Sequence, residues 1–341
     1  MLRWLARDVL PDRLFFCLAY RVTPPSVHVP VLVESVLAGL RLDPGGKHEA
    51  NRVIVDGTLG GAGHALRIGS CLNPGETLIA LDRDPSVIER MIPVLESRLG
   101  TRAEQGNTLW QLQPEGGCRW VVCPGSYCSL PQVLADLRIE SVHGILLDLG
   151  LSSDQLQDAN RGFSFRIEGP LDLRFNPETG LSAADFLRIK GEKEIADTIY
   201  RFGEERFSRR IARAIVERRQ TQPIATSSQL ADLIHRVVPG RIHGRVDSAT
   251  RTFQALRIAV NQELEHVETA MRVLPECLAL GGRLVVISFH SLEDRIVKHA
   301  LRENPVLHVV TKKPLMASQQ EEDANPRSRS AKLRVAERIA T

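Results

Sequence analysis

Neither a long apolar run, nor a strong net charge, nor a paired set of cysteines occurs in this 341-residue chain. The absence of any stretch of about 18 consecutive apolar residues excludes a transmembrane helix. Lys and Arg number 44 against 41 Asp and Glu, and the resulting formal charge of +3 identifies no partner by itself. The six cysteines are Cys17, Cys71, Cys118, Cys123, Cys128 and Cys277. Three of them recur at five-residue intervals, which matches no zinc spacing of the C-x2-C kind. The expectation is therefore no metal, and reduced thiols in an intracellular protein.

A hydrophobic content of 43% and a charged content of 25% suit an ordinary globular chain. The length suits one large domain and a smaller one. Charge is clustered locally: Arg209, Arg210, Arg213, Arg218 and Arg219 in one segment, Arg327, Arg329, Lys332 and Arg334 in another. Such clusters suit a polyanionic partner, with solvated helix faces as the alternative. Residues 1–27 read as an N-terminal extension. The apolar patch from Leu14 to Ala19 is too short and too late for a secretory signal, and Asp8 and Asp12 weaken a transit-peptide reading.

Strands and helices alternate along the first half. Arg52 to Val55 is a strand ending at Asp56, and Thr77 to Leu81 a second ending at Asp82. Trp120 to Val122 is a third, and Gly144 to Leu147 a fourth ending at Asp148. Their unbroken apolar character suits parallel strands buried on both faces. From about Gln155 to Thr250 the strand signal disappears. Helices are expected over Glu204 to Arg219 and over Ser227 to Val238, the second stopping at Pro239-Gly240. One long helix is expected to carry Phe253, Leu256, Val260, Leu264, Val267, Met271 and Leu274. A fifth strand spans Arg283 to Ser288, with later ones at Val306 to Val310 and Leu333 to Ala336. Ala317 to Arg329 reads as a polar loop. The pattern predicts an α/β fold, a doubly wound Rossmann-like sheet interrupted after the fourth strand by a helical insertion.

The loop Asp56-Gly57-Thr58-Leu59-Gly60-Gly61-Ala62-Gly63-His64 joins the first strand to a helix. Its small residues allow close backbone approach to a ligand. A dinucleotide fingerprint fails because Leu66 stands where the third glycine belongs, and the Gly-Lys-Ser/Thr of a P-loop is missing. An acid ahead of the loop suits a ligand carrying positive charge, such as the amino group and sulfonium of S-adenosylmethionine. Asp82, at the next strand end, is placed to accept from ribose hydroxyls, or to cap the helix that begins near Pro85.

Longer strings carry a specific resemblance. Asp148-Leu149-Gly150-Leu151-Ser152-Ser153-Asp154-Gln155-Leu156, Arg161-Gly162-Phe163-Ser164-Phe165 and Gly169-Pro170-Leu171-Asp172 are three of them. Others are Gly203 to Phe207, Ala249 to Ile258, Ile287 to Arg295 and Asn325 to Ala331. Together they resemble the ribosomal RNA small-subunit methyltransferase H family, from about His28 to the C-terminus. The resemblance implies a class I methyltransferase fold with residues 28–155 and 251–341 as the cofactor domain and 156–250 as the inserted recognition domain. It implies transfer of a methyl from S-adenosylmethionine to a cytosine N4 amine in the decoding region of small-subunit RNA, without a metal.

Family cofactor contacts carry over to Ala62, Gly63, His64, Asp82, Tyr127, Asp148 and Gln155. The family usually has glycine at 62, phenylalanine at 127 and proline at 154, so the methyl of Ala62 is expected to crowd the cofactor. Val246-Asp247-Ser248-Ala249 and Phe175-Asn176 also depart from the family pattern, and put RNA contacts in question more than the reaction.

A cytosine N4 amine is a poor nucleophile, because its lone pair is delocalised into the ring. Accepting one of its N–H bonds and aligning it with the methyl both help. Asp148 is the candidate, as cofactor ligand first, with acceptance from the amine or capping of the insertion's first turn as the alternatives. His290 is a catalytic candidate with a structural hydrogen bond as the equal alternative. Ser291 and Asp294 are assigned to capping the helix that follows. Arg209, Arg210, Arg213, Arg327 and Arg329 are the candidate RNA contacts, serving a base turned out of its stack. Partners are then small-subunit RNA or the assembled subunit, with no membrane, in the cytoplasm; a homodimer is left open. Two alternatives remain: a methyltransferase for DNA or a small amine, and a non-catalytic ribosome-assembly factor that kept the fold, which Ala62 alone among the loop residues favours.

Overall fold

The structure, a computed structural model, describes residues 30–43, 51–106, 108–238 and 247–340. The expected N-terminal extension (1–27), the Pro239-Gly240 stop and Val246 lie outside the described residues.

Nine strands form one sheet among the described residues. They are β1 (Val53–Asp56), β2 (Thr77–Asp82), β3 (Glu104–Gln105), β4 (Trp110–Leu112), β5 (Arg119–Pro124), β6 (Val142–Asp148), β7 (Leu278–Ser288), β8 (Leu307–Val309) and β9 (Lys332–Arg338). Their order is β3-β4-β5-β2-β1-β6-β7-β9-β8. The central β5-β2-β1-β6-β7 run is parallel, and both flanks are antiparallel. The chain leaves β1 towards β2 and β5, then returns to place β6 on the other side of β1. This reversal opens a crevice beyond the carboxyl ends of β1 and β6, the position where doubly wound sheets receive ligands.

Ile54, Leu78, Ala80, Val122, Leu146, Val285 and Ile287 point to one face, packed by helices Val33–Gly39, Gly63–Gly69 and Pro85–Leu99. Val55, Ile79, Leu81, Ile145, Leu147 and Val286 point to the other, packed by Leu130–Leu137, Glu263–Cys277 and Ser291–Glu303. Burial of alternate residues on both faces accounts for the continuous apolar runs in the sequence.

Between β6 and β7 the helices Ala183–Ile189, Glu192–Gly203, Ser208–Thr221, Ser227–Val237 and Ser248–Asn261 surround a separate apolar cluster that includes Phe186, Ile195, Ile199, Ile211, Leu230 and Leu256. Gly203 lets the second of these helices approach the last, since a Cβ there would stand 2.4 Å from the Arg251 carbonyl oxygen.

Three expectations are corrected, and one element is new. The single long helix is two, because Gln262 adopts a left-handed φ of 51° between Asn261 and Glu263. The helix expected from Glu204 begins at Ser208, after a reversal at Glu204 with φ 51°. The segment expected as a loop contains a helix, Gln319–Ala324, capped by Ser318, and a 3-10 turn, Pro326–Ser330. The β3–β4 hairpin was not anticipated, since Glu104 and Gln105 are exposed and carry no apolar alternation.

Candidate active site

The crevice is built from strand ends that bend back on one another. Asp56 ends β1 wholly buried, and its Oδ1 accepts from the Thr58 amide at 3.0 Å and the Thr58 hydroxyl at 3.3 Å. That hydroxyl accepts in turn from the Asp148 amide at 2.8 Å, which fastens the end of β6 to the loop after β1. Glycine at 57 leaves room for its neighbours, since a Cβ there would stand 2.6 Å from Leu147 Cδ2 and 3.0 Å from Tyr127 Cβ. Gly60, at φ 48°, donates to Asp82 Oδ2 at 2.8 Å, and the Asp84 amide donates to Asp82 Oδ1 at 2.9 Å. Asp82 thus shapes the loop; the helix cap before Pro85 is Asp84, not Asp82.

The resulting cleft encloses about 940 Å3 with its open mouth included. Gly63, His64, Asp82, Tyr127, Asp148 and Gln155 all line it. Ala62 does not. It sits at the helix start with φ 59°, and its methyl is buried in the core, so the expected crowding of the cleft is absent. Gln155 presents its body rather than free polar atoms. Its Oε1 accepts from the Ser152 amide in a capping box, and its Nε2 donates to Asp84 Oδ2 at 3.2 Å.

Three carboxylates gather here, and burial raises each of them despite the hydrogen bonds and charge that oppose it. Burial, then the neighbouring Asp56 carboxylate, pushes Asp148 up to about 8, against the pull of Arg327. Burial likewise raises Asp56 and Asp82 to about 6 each. Asp148 Oδ2 stands 3.6 Å from His64 Nε2, while Asp148 Oδ1 and Asp56 Oδ2 are buried without a hydrogen-bond partner. Uncompensated buried carboxylates are costly unless protonated or met by a cation.

Phe175, Arg83, Glu263, His266 and Glu293 also line the cleft, and none was anticipated as a site residue. Phe175 stood out in the sequence only as a departure from the family pattern. Glu263 directly follows the Gln262 break that the helical periodicity concealed.

A second, wider groove of about 1440 Å3 adjoins the cleft and shares Gly150 and Leu151 with it. Phe163, Phe165, Phe253 and Phe289 supply apolar wall, and Arg257, His290 and Arg327 supply polar groups. His290 therefore faces the groove rather than the cleft. It is also the helix cap in place of the expected Ser291: its Nδ1 accepts from the Glu293 amide at 3.4 Å. Its Nε2 lies 3.0 Å from Glu293 Oε1. Burial raises the Glu293 carboxyl, but the hydrogen bond and charge of His290 prevail and hold it below its ordinary value. Asp294 does not cap; it pairs with Arg334 at 2.7 Å and Lys332 at 3.6 Å and ties the helix to β9. Ser291 Oγ instead donates to Glu204 Oε2 at 3.1 Å.

Glu263, His290 and Glu293 place ligand-type atoms within 4.8 Å of one another. Arg257 already grips Glu263 through two bonds of 2.7 and 2.9 Å, so the group is an ion-pair network that divides cleft from groove.

Of the five candidate RNA-binding arginines, only Arg327 reaches this region, where it lines the groove and donates to the Leu151 carbonyl. Arg209, Arg210 and Arg213 are exposed along helix Ser208–Thr221 and border a shallow hollow with Glu217. Arg213 is 3.8 Å from Glu192. Arg329 is exposed in the 3-10 turn.

Known proteins match nearly the whole chain. The ribosomal RNA small subunit methyltransferase H of Acidobacterium capsulatum is 49% identical over 315 residues, covering 91% of this chain and 98% of that protein. The protein of the same name from Trichlorobacter lovleyi is 44% identical over 331 residues, covering 92% and 98%. The solved structure of an rRNA methylase from Streptococcus thermophilus overlaps 90% of this chain and 95% of that one at 9% identity, with a TM-score of 0.40, too loose a likeness to argue from. The model of the MraW methylase family matches residues 25–339. With that span and those identities, the chain belongs to the MraW methylase family.

Proposed function

We propose that this protein methylates the N4 amine of a cytosine in the decoding region of small-subunit ribosomal RNA, using S-adenosylmethionine. The observation that carries the reading is a strand-tip cleft lined by Asp148, whose buried Oδ1 has no hydrogen-bond partner, with the Asp56 carboxylate, itself holding an unpartnered buried oxygen, as its charged neighbour. A sulfonium is the kind of charge such a site lacks. Asp82 would hold the ribose, the Tyr127 ring the adenine, and the glycine-rich loop from Gly57 to Gly63 the amino-acid end. When bound, the cofactor supplies an electrophilic methyl group.

The protein's own part is orientation and charge control. Asp148 ends β6 beside Gly150 and Leu151, the residues common to cleft and groove. A cation in the cleft favours its carboxylate over the acid. The carboxylate then accepts an N–H of the target amine, which draws the nitrogen lone pair out of the ring and leaves it aimed at the methyl. The groove's phenylalanines offer apolar wall to a base that has left its stack. The exposed arginines Arg209, Arg210, Arg213 and Arg329 serve the phosphates more remotely, with Arg327 nearer the base.

Relatives bearing the small-subunit name support ribosomal RNA or the assembled small subunit as substrate, and thus a cytoplasmic place of work. Among the described residues no helix is long and apolar enough to cross a membrane. The alternative of a non-catalytic assembly factor rested on Ala62, whose methyl lies in the core rather than the cleft.

Mapping modified cytosines in small-subunit RNA from cells with and without the gene tests the proposal. One N4-methyl mark should vanish with the gene and return with the unaltered copy. An unchanged pattern would refute it.

A further inference from the structure

Two buried polar clamps join the insertion to the sheet, and both close on the same short strap, Leu173 to Phe175. Arg161, only 8% exposed, donates through Nη2 to Asp84 Oδ2 at 2.8 Å and to the carbonyls of Arg174 and Phe175 at 2.9 and 2.6 Å. Its Nη1 reaches Ser86 Oγ at 3.3 Å. Asp84 is 1% exposed, caps helix Pro85–Leu99 and accepts from Gln155. From the opposite side Asn261, 2% exposed, accepts from the Phe175 amide at 2.7 Å and donates to the Leu173 carbonyl at 2.6 Å. Arg83 binds the Asn261 carbonyl oxygen at 2.6 Å.

The strap faces two ways. Phe175 walls the cofactor cleft, together with Arg83 and Gln155, while Leu173 walls the groove. Leu173 also holds a left-handed φ of 63°, a conformation that a leucine keeps only when its surroundings impose it. A buried guanidinium is an expensive way to hold apolar layers together, and removing one partner leaves the other charge stranded. What the pair offers instead is a fixed geometry with two discrete partners, cleft and insertion.

We infer that Arg161 is a positioning residue which, through Asp84 and the strap, couples occupancy of the cofactor cleft to the pose of the inserted helices against the groove. The inference rests on the proposed cofactor site. A ligand that packs on Phe175 restrains the strap, which Arg161 fixes to Asp84; the strap in turn restrains helix Ser248–Asn261 through Asn261, and helix Glu192–Gly203 packs against that helix at Gly203. Coupling of this kind needs a physical link that both sites bias, and the clamped strap is that link.

Hydrogen exchange with S-adenosylhomocysteine as the probe tests it on the full chain. In the unaltered protein the probe should slow exchange in residues 161–175 and in helices Glu192–Gly203 and Ser248–Asn261, which share the insertion's apolar cluster, as well as in the loop from Gly57 to Gly63. Slowing confined to that loop and its neighbours on β2 would overturn the inference.

The double variant D84N/R161M removes both charges together, and asparagine keeps the helix cap. It should still bind the probe, but without slowing the insertion helices. Its kcat should fall roughly 100-fold, the loss expected from a small misplacement of the reacting groups, with KM for S-adenosylmethionine little changed. R161K should recover part of that loss. Equal slowing of the insertion in variant and unaltered protein, or an unchanged kcat, would overturn the assignment. If the unaltered chain gives no heat with the probe in calorimetry, the cofactor reading fails first and this inference with it.

Discussion

Binding of S-adenosylmethionine should expel a proton from Asp148, and that proton can be counted. In the empty cleft Asp148 is pushed up to about 8 by burial and by the Asp56 carboxylate. A group of that strength is about nine-tenths protonated at pH 7. A sulfonium about 4 Å away, in surroundings of effective dielectric about 20, favours the ionised form by roughly 4 kcal/mol, or about three pH units. Asp148 would then titrate near 5, and binding at pH 7 would release roughly 0.9 of a proton. Titration calorimetry in two buffers of different ionisation enthalpy reads this number directly. S-adenosylhomocysteine lacks the charge and should release much less, and D148N should release almost none with either ligand. Equal release for the two ligands, or none for S-adenosylmethionine despite tight binding, would refute the electrostatic reasoning.

The same carboxyl should make the empty protein less stable as pH rises. Its folded pKa lies above its unfolded value, so between about pH 4 and 8 the folded state binds the extra proton and stability falls with pH, at no more than about 1.4 kcal/mol per pH unit. The difference in stability between the unaltered chain and D148N, followed by urea melts across that range, should show this slope, and a flat difference would contradict it. Neutralising Arg209, Arg210 and Arg213 together should weaken small-subunit RNA binding and reduce the steepness of its salt dependence by roughly two to three; an unchanged slope in filter binding would remove them from the interface. Tyr127→Ala should weaken S-adenosylhomocysteine binding roughly tenfold in calorimetry, as loss of an aromatic contact and its buried area implies, and Tyr127→Phe should stay near normal because the ring rather than the hydroxyl does the packing. Loss of binding in the phenylalanine variant would contradict that division.

Local signals carried much of this site. The ends of β1, β2 and β6 announce themselves because each apolar run stops at an acid, and parallel strands buried on both faces leave no polar residue to blur the boundary. Position 62 misled, since a small residue in a glycine-rich loop suggests contact with ligand, whereas its backbone turns the methyl into the core. The Gln262 break was invisible because apolar positions keep helical spacing through it, and no glycine or proline marks it. The cap at His290 was misplaced by one residue, because serine is the commoner cap and histidine a rare one. Phe175, Glu263 and His266 come to the cleft from segments far along the chain. Only tertiary packing brings them there, and no periodicity reports that.

The most direct test of the chemistry is transfer of labelled methyl from S-adenosylmethionine to purified small subunits and to their naked RNA, with nucleosides separated after digestion. The predicted result is label in N4-methylcytidine alone, lost in D148A protein that still folds. Label in a ring-methylated cytidine or in another nucleoside would contradict the proposal, as would near-normal transfer by D148A.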